Sequence, residues 1–223
     1  MFEMSVEDFV REVQGGARAI LQVRHAERPK MDPDDPTFGD SLPLTPEGVR
    51  TAKLMGEKLR PLADSVQFVS SPLRRTVMTA RGIAEGMGLA GAEIPTDGAI
   101  GNDSFYYEDT EQVLDVFKPE NFFNACFEYM RTGRQRGFNE LYGATDRLEE
   151  WLFERFDRRL MLATTHDLYI AVFLYARRAV DVYSKDNWPR FLDGAAILVA
   201  PDGSRRYASV RAGLSNGICG VKI

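Results

Sequence analysis

The chain has 223 residues, of which 33 are Asp or Glu and 28 are Lys or Arg, so its formal net charge is −5 at pH 7. This balance argues against nucleic acid or an anionic membrane surface as the main partner, and any binding of an anion must rely on local positive charge. A hydrophobic content of 44% over this length supports one full core, and we expect a single domain over residues 1–223.

Cysteine content and apolar runs indicate the compartment. Cys126 and Cys219 are too few for a disulfide framework, which favours a reducing environment. The first residues include acidic side chains and no apolar signal segment, and the longest apolar run, residues 168–176, is too short to span a bilayer. We therefore expect a cytoplasmic protein without a membrane partner; the sequence is compatible with any oligomeric state.

Near its start the chain is predicted to carry a histidine to the end of a buried strand. Ser5 is a suitable N-cap for a first helix, and residues 19–23 form an apolar run that is typical of a buried strand. Arg24, His25 and Arg28 follow directly. Because ligands bind past the carboxyl ends of the strands in open α/β sheets, we expect these three side chains at a site.

The combination of a histidine with two guanidinium groups is suited to attack on the phosphorus of a phosphomonoester, because the arginines hold its negative charge. The alternative is that His25 is an ordinary surface or core residue. The chain has only one other histidine, His166, and it also follows a short apolar run. Two histidines at two predicted strand ends favour one shared site.

The next part of the chain is predicted to add a second strand end. Residues 29–43 contain four prolines and four aspartates and are expected to form a long loop over the site. Thr45 begins a helix as its N-cap, and residues 65–70 form a strand. Arg74 and Arg75 then lie in the first turn of a helix, where cations oppose the dipole unless an anion binds there. The alternative for this pair is an exposed surface.

An aromatic-rich insertion over residues 99–137 follows a short strand that is expected at residues 92–95, and most aromatic side chains of the insertion are expected to form a small core of its own. It contains Arg131, Arg134 and Arg136, which could reach a second anionic group, although a solvated surface is the more common role. Residues 138–158 are predicted to form an amphipathic helix, and a strand then ends at His166. Asp167 opens the next helix, and a hairpin over residues 191–211 ends the fold.

Four segments together resemble the histidine phosphatase (phosphoglycerate mutase-like) superfamily. Residues 24–26 (Arg-His-Ala) resemble its Arg-His-Gly signature, with Ala in place of Gly. Residues 44–48 resemble its Leu-Thr-x-x-Gly helix start, and residues 70–76 resemble the Ser-x-Leu-x-Arg segment that carries a phosphate-pocket arginine. Residues 166–167 resemble the His-Asp pair of the acid-phosphatase branch.

The resemblance implies a three-layer α/β/α sandwich with a mostly parallel central sheet, in which residues 99–137 form a cap. It also implies a phosphomonoester hydrolase that forms a phosphohistidine on His25 and uses no metal or other cofactor. Its phosphate pocket would consist of Arg24, Arg28, Arg75 and His166. The alternative for Arg28 is an ion pair with an acid of the following loop, namely Asp32, Asp34, Asp35 or Asp40.

The resemblance leaves the proton donor for the leaving group open. Asp167 is the first choice, because the His-Asp pair has this role in the acid-phosphatase branch; the alternative is that Asp167 only caps the helix that it opens. The mutase branch takes its acid from a later loop, where this chain offers Asp103, Glu108 and Asp109.

Two other functions use the same residues. A phosphomutase has the same catalytic core, but residues 99–109 contain no stretch specific to mutases. A non-catalytic module that binds a phosphorylated ligand would have no need of a nucleophilic imidazole. We therefore expect a phosphatase with a small phosphorylated substrate, and sugar phosphates, nucleotides, inositol phosphates and phosphopeptides all stay open.

Overall fold

The computed structural model describes residues 2–32, 35, 37, 39–117 and 121–214. Asp34 and Cys219 lie outside these residues, whereas Cys126 is buried. The described part of the chain contains the following strands and α-helices: β1 (Glu3–Ser5), α1 (Val6–Gln14), β2 (Arg18–Arg24), α2 (Pro46–Leu59), β3 (Val66–Ser70), α3 (Arg74–Gly86), α4 (Thr110–Val116), α5 (Phe122–Thr132), α6 (Leu141–Arg155), β4 (Leu160–Thr165), α7 (Asp167–Ala176), β5 (Gly194–Val199) and β6 (Arg205–Arg211).

The strands form one sheet in the order β1-β6-β5-β2-β4-β3. Strand β2 pairs in parallel with β4, as do β4 with β3 and β1 with β6, whereas β5 is antiparallel to both of its neighbours. The prediction of a mostly parallel sheet is therefore confirmed, and β5 and β6 form the predicted C-terminal hairpin. The sequence does not predict the short edge strand β1.

Helices cover both faces of this sheet, which confirms the three-layer α/β/α architecture. Helices α1, α2 and α3 pack against one face, in a core that includes Phe9, Met55 and Ile83. Helices α4 to α7 cover the other face, in a core that includes Tyr129 and Phe173. Within the described ranges, no helix combines the length and the apolar character needed to cross a membrane.

The aromatic insertion, residues 99–137, is packed on the domain core. Tyr106, Phe117 and Tyr129 belong to the same buried cluster as Phe173 of α7. The prediction that these aromatic side chains form a small core of their own is therefore wrong, because they belong to the core of the domain. The role of the segment as a cap over a site stays a prediction.

The register of the parallel strands brings three carboxyl ends together. The last residue of β2, Arg24, is opposite Thr165 of β4, and the last residue of β3 is opposite the preceding residue of β4. His25, Ser71 and His166 follow these three strands directly. Two histidines that are far apart in the sequence thus start from adjacent strand ends.

The start of α2 holds the loop that follows His25. Thr45 is the N-cap, as predicted, and its hydroxyl accepts a hydrogen bond from the Gly48 amide. The Thr45 amide donates to the Glu27 carbonyl at 3.0 Å. A Cβ atom at Gly48 would lie 2.1 Å from that carbonyl oxygen, so only glycine permits the helix to approach the loop this closely.

A buried carboxylate connects α6 with α7 and β6. Glu149 is 4% exposed, and its oxygens accept hydrogen bonds from Arg177 at 2.6 Å, Arg205 at 2.8 Å and Tyr207 at 2.9 Å. Because a buried charge costs free energy unless it is paired, this part of the core depends on the complete set of partners.

We expect Glu149→Gln to lower the free energy of unfolding by about 3 kcal/mol, because the amide leaves two guanidinium groups without their buried anion. Urea denaturation measures this change. Glu150→Gln is the matched control, since the neighbouring side chain is exposed, and should change the free energy of unfolding by less than about 0.5 kcal/mol. Equal effects of the two substitutions would contradict the assignment.

Candidate active site

His25 lies at the centre of the candidate site and is only 4% exposed. Its backbone amide donates to the Thr165 carbonyl at 3.0 Å, which joins the ends of β2 and β4. Its Nδ1 atom lies 2.8 Å from the Ala26 carbonyl oxygen. Because a carbonyl oxygen can only accept, Nδ1 carries the hydrogen and the lone pair of the neutral ring is on Nε2.

Ala26, the residue after His25, is held by a hydrogen bond to α3. The Ala26 amide donates to Thr79 Oγ1 at 2.9 Å, and the Ala26 side chain is buried in the core cluster of α2 and α3. The methyl group that replaces the hydrogen of the Gly in the family signature therefore points into the core. The turn that carries His25 is held by hydrogen bonds on both sides.

Arg24 is 2% exposed, and its guanidinium contacts a backbone carbonyl, a carboxylate and an aromatic ring. Its Nη1 atom donates to the Pro189 carbonyl at 2.6 Å, and Nη2 lies 3.2 Å from Asp167 Oδ2. The ring of Phe191 lies under the guanidinium, 4.3 Å from Cζ, and 5.6 Å from the His25 ring. The Arg24 guanidinium is thus held in place beside the imidazole.

Arg75 lies in the first turn of α3, as predicted, and is buried. Its Nη1 atom donates to the Gly39 carbonyl at 2.8 Å, and Nε is buried without a hydrogen-bond partner among the described residues. Burial, together with the charge of Arg28, lowers the pKa of Arg75 to about 10, so the side chain is cationic at neutral pH. A buried guanidinium with an unused donor is suited to bind an oxygen of an anion.

Arg28 is less deeply buried than the other two arginines. It donates Nη1 to the Pro29 carbonyl at 2.8 Å. Its positive charge lowers the pKa of both Arg75 and His166. The structure therefore brings Arg28 near the predicted pocket.

His166 faces His25 at the end of β4. The two ring centroids are 5.6 Å apart, and Nε2 of His166 lies 3.1 Å from Ser71 Oγ. The ring of Tyr169 is 5.7 Å away, and its hydroxyl donates to the Gly101 carbonyl at 2.6 Å. His166 is thus placed between the end of β3 and the start of α7.

Both histidines are held in the neutral form at neutral pH. Burial, followed by the charges of Arg75 and Arg24, lowers the pKa of His25 well below 6.5. The same causes, with Arg28 in addition, lower the pKa of His166 well below 6.5. His25 therefore offers an unprotonated Nε2 lone pair beside several guanidinium groups, which are suited to hold the oxygens of an anion.

Asp167 begins α7 and contacts three donors. Its Oδ1 atom accepts from the Leu168 amide at 3.0 Å. Its Oδ2 atom lies 3.2 Å from Arg24 Nη2 and accepts from Trp188 Nε1 at 3.1 Å. The N-cap position of α7 belongs to His166, so Asp167 contacts the helix start but is not its capping residue.

The alternative acids lie on a loop beside the site. Asp103 and Glu108 are exposed, whereas the carboxylate of Asp109 caps α4 by accepting from Gln112. A Cβ atom at Gly101 would lie 2.6 Å from Ser71 Oγ. The loop that carries Asp103 therefore passes directly over the side chain that contacts His166.

The three arginines of the insertion do not contribute to this pocket. Arg131, Arg134 and Arg136 are exposed, and Arg136 forms an ion pair with Asp115 at 2.9 Å. Their exposure agrees with the solvated surface position that is the more common one for such arginines. In the described ranges, no group of three or more His, Cys, Asp or Glu side chains could hold a metal ion.

Sequence reasoning misses part of the site. The strand predicted over residues 65–70 places the next residue, Ser71, at the sheet edge, but its hydroxyl is given no role. Sequence reasoning also assigns nothing to Trp188, Pro189 and Phe191, which contact Asp167 and Arg24. Neither periodicity nor a motif marks the segment that carries them, so no signal in one sequence could identify it.

The sequence matches the model of one protein family, described as the histidine phosphatase superfamily (branch 1), over residues 20–188. The resemblance of residues 166–167 to an acid-phosphatase His-Asp pair stays a prediction. No curated protein matches the chain.

Several solved structures are similar in fold. A mycobacterial glucosyl-3-phosphoglycerate phosphatase is 15% identical, with a TM-score of 0.54 over 86% of this chain and 97% of that one. Phosphoglycerate mutase from Bacillus anthracis is 14% identical, with a TM-score of 0.52 over 90% and 95% of the two chains. Phosphoserine phosphatase from Entamoeba histolytica, in complex with 3-phosphoglyceric acid, is 13% identical, with a TM-score of 0.53 over 85% and 94%. At these identities the likeness concerns the fold alone.

The lowered pKa values of the two histidines predict that acid destabilises the protein. Below pH 6.5 a histidine of the unfolded chain binds a proton that His25 and His166 in the folded chain do not bind. The free energy of unfolding should therefore fall as the pH drops below 6.5, by up to about 1.4 kcal/mol per pH unit for each histidine.

Urea denaturation of the wild type and of the His25→Asn/His166→Asn variant at several pH values tests this expectation. The chain has only these two histidines, so the difference between the two pH dependences isolates their contribution. The variant should lose less stability on acidification between about pH 6.5 and about pH 5.5. Parallel pH dependences would show that the two imidazoles are not held neutral.

Proposed function

The chain belongs to the histidine phosphatase superfamily, and on this premise we propose that it is a phosphomonoester hydrolase that works through a phosphohistidine on His25. The observation that carries the proposal is the state of that imidazole. It is buried and neutral, it donates Nδ1–H to the Ala26 carbonyl, and its Nε2 lone pair lies in a field of guanidinium groups. These are the properties of a nitrogen nucleophile for an anionic phosphorus centre.

In the first step His25 Nε2 attacks phosphorus, and the bond from phosphorus to the leaving oxygen breaks. Arg24, Arg75 and His166 bind the non-bridging oxygens, and Arg28 adds positive charge at the rim of the pocket. The unused buried Nε donor of Arg75 supports its place in this set. Fixed donors around the phosphoryl group stabilise the transition state without a metal ion.

The leaving alkoxide needs a proton, and Asp167 is the proposed donor. Arg24 lies 3.2 Å from its carboxylate. A phosphate bound beside Arg24 brings a second anion close to this carboxyl group, which favours the protonated form of the carboxyl group. Asp103 and Glu108 are the alternative donors, but both are exposed, whereas His25, Arg24 and Arg75 are buried.

In the second step water attacks the phosphohistidine. The bond from Nε2 to phosphorus breaks, Asp167 takes up a proton from the water, and inorganic phosphate leaves with His25 neutral again. The oxygens are held by the same arginines in both steps. One constellation therefore serves the formation and the hydrolysis of the intermediate.

The named relatives point to small phosphorylated substrates: one is a glucosyl-3-phosphoglycerate phosphatase, and another is a phosphoserine phosphatase in complex with 3-phosphoglyceric acid. A small phosphomonoester is accordingly the proposed substrate class, and the low cysteine content supports a cytoplasmic location.

A phosphomutase would use the same residues but would pass the phosphoryl group to a second hydroxyl group in place of water. Release of inorganic phosphate in the absence of any acceptor separates the two.

We expect His25→Ala to lower the hydrolysis of p-nitrophenyl phosphate at least about a thousandfold, because the nucleophile is lost. The variant should still bind orthovanadate through Arg24 and Arg75, which serves as the control for folding. A chelator should leave the wild-type rate unchanged. Activity that survives in His25→Ala but disappears with the chelator would contradict the mechanism.

Asp167→Asn should separate two classes of ester. An alkyl phosphate needs a proton on its leaving oxygen and should lose about a hundredfold in kcat/KM, whereas p-nitrophenolate leaves without one and should lose little. The comparison is made on both substrates at the same pH, with Asp103→Asn as the matched control. If Asp103→Asn shows the unequal loss and Asp167→Asn does not, the donor is Asp103.

A further inference from the structure

A short segment between α7 and β5 surrounds the side chains of the site. This segment, residues 188–193, supplies the Pro189 carbonyl to Arg24 at 2.6 Å and the Phe191 ring beneath the same guanidinium. It also supplies the indole N–H of Trp188 to Asp167. The match to the family model ends at residue 188, so residues 189–193 lie outside the matched range.

The Trp188 side chain is completely buried, and other rings enclose it. We call this group the Trp188 cluster; the ring centroids of its members lie 5.3 to 6.0 Å from that of the indole, and they are Phe122, Phe123, Phe127 and Tyr183. The three phenylalanines belong to α5, which lies in the inserted segment. The indole therefore touches α5 through its ring and Asp167 through its N–H.

We propose that Trp188 is a positioning residue for Asp167, and that it connects this carboxyl group with α5. The inference rests on the proposed function, since it concerns the proton that Asp167 supplies to the leaving group. Trp188 orients the carboxyl group that holds this proton.

Each carboxylate oxygen of Asp167 accepts from a neighbouring donor. The Leu168 amide donates to Oδ1 at 3.0 Å, and the indole N–H of Trp188, which can only donate, lies 3.1 Å from Oδ2. The two bonds together fix the orientation of the carboxyl group. Trp188 therefore helps to orient the group that delivers the proton, and the Trp188 cluster fixes the indole.

Trp188→Phe tests the proposal, because it keeps an aromatic ring in the cluster and removes only the donor. We expect kcat/KM for an alkyl phosphate to fall about tenfold and kcat/KM for p-nitrophenyl phosphate to fall less than about twofold. A purely structural role of the indole would lower both values by the same factor, and that result would overturn the proposal.

Trp151→Phe is the matched control. Trp151, in α6, is the other tryptophan of the chain. It is also buried, and its ring packs against that of Phe105. The same substitution there should leave the ratio of the two kcat/KM values unchanged. An equal shift of the ratio in Trp151→Phe would overturn the assignment to Trp188.

A double variant separates this inference from the proposed function. If Trp188 acts through Asp167, adding Trp188→Phe to Asp167→Asn should cause no further loss on the alkyl phosphate. A further tenfold loss would overturn the inference alone. If Asp167→Asn itself affects both esters equally, the proposed proton donor is wrong and the inference fails with it.

The connection to α5 has its own test. Phe123 is the α5 ring nearest to the indole, at 5.3 Å, and Phe123→Leu should lower the alkyl-to-aryl ratio about threefold by loosening the indole. Phe153→Leu, a half-buried phenylalanine of α6, should leave the ratio unchanged. An unchanged ratio in Phe123→Leu would overturn the link between α5 and Asp167.

Discussion

The site depends on the burial of two guanidinium groups beside an imidazole. Arg24 and Arg75 are 2% and 8% exposed, and their charges act on His25. Burying cations next to each other costs free energy that only hydrogen bonds and opposite charge can offset. Backbone carbonyls accept from both guanidiniums, and the Asp167 carboxylate and the Phe191 ring contact Arg24. The same positive field, together with burial, keeps His25 neutral and therefore nucleophilic.

This arrangement explains why the pocket is suited to an anion. Asp167 supplies one negative charge to Arg24, while the buried Nε of Arg75 has no hydrogen-bond partner in the described ranges. A phosphate group would accept from that donor and add negative charge beside Arg24. Proteins commonly keep such incompletely satisfied groups where they bind ligands, at a cost in stability. The pH dependence of stability and the proposed chemistry thus have one physical origin, which is the burial of both imidazoles beside cationic side chains.

The parts of the fold that could be predicted from the sequence are those with a local signal. Apolar runs that stop at His25 and His166 predict strand ends, and the N-cap at Thr45 predicts the start of α2, because periodicity and capping are properties of neighbouring residues. The short strand expected at residues 92–95 is wrong: no strand forms there, and the structure has a bridge between Thr96 and Ser70 instead. The contact of Trp188 with Asp167 depends on tertiary packing and leaves no local pattern.

The packing of the insertion connects α5 with Asp167. The rings of α5 lie in one cluster with Trp188, and Trp188 contacts Asp167, which contacts Arg24. If the insertion caps the pocket as predicted, a substitution in α5 that adapts the pocket to a new leaving group also moves the indole. If Asp167 supplies the proton as proposed, its position then changes together with the specificity of the pocket, and the cost appears first for leaving groups that need protonation. Under these two conditions the aromatic layer limits which substrates this chain can acquire.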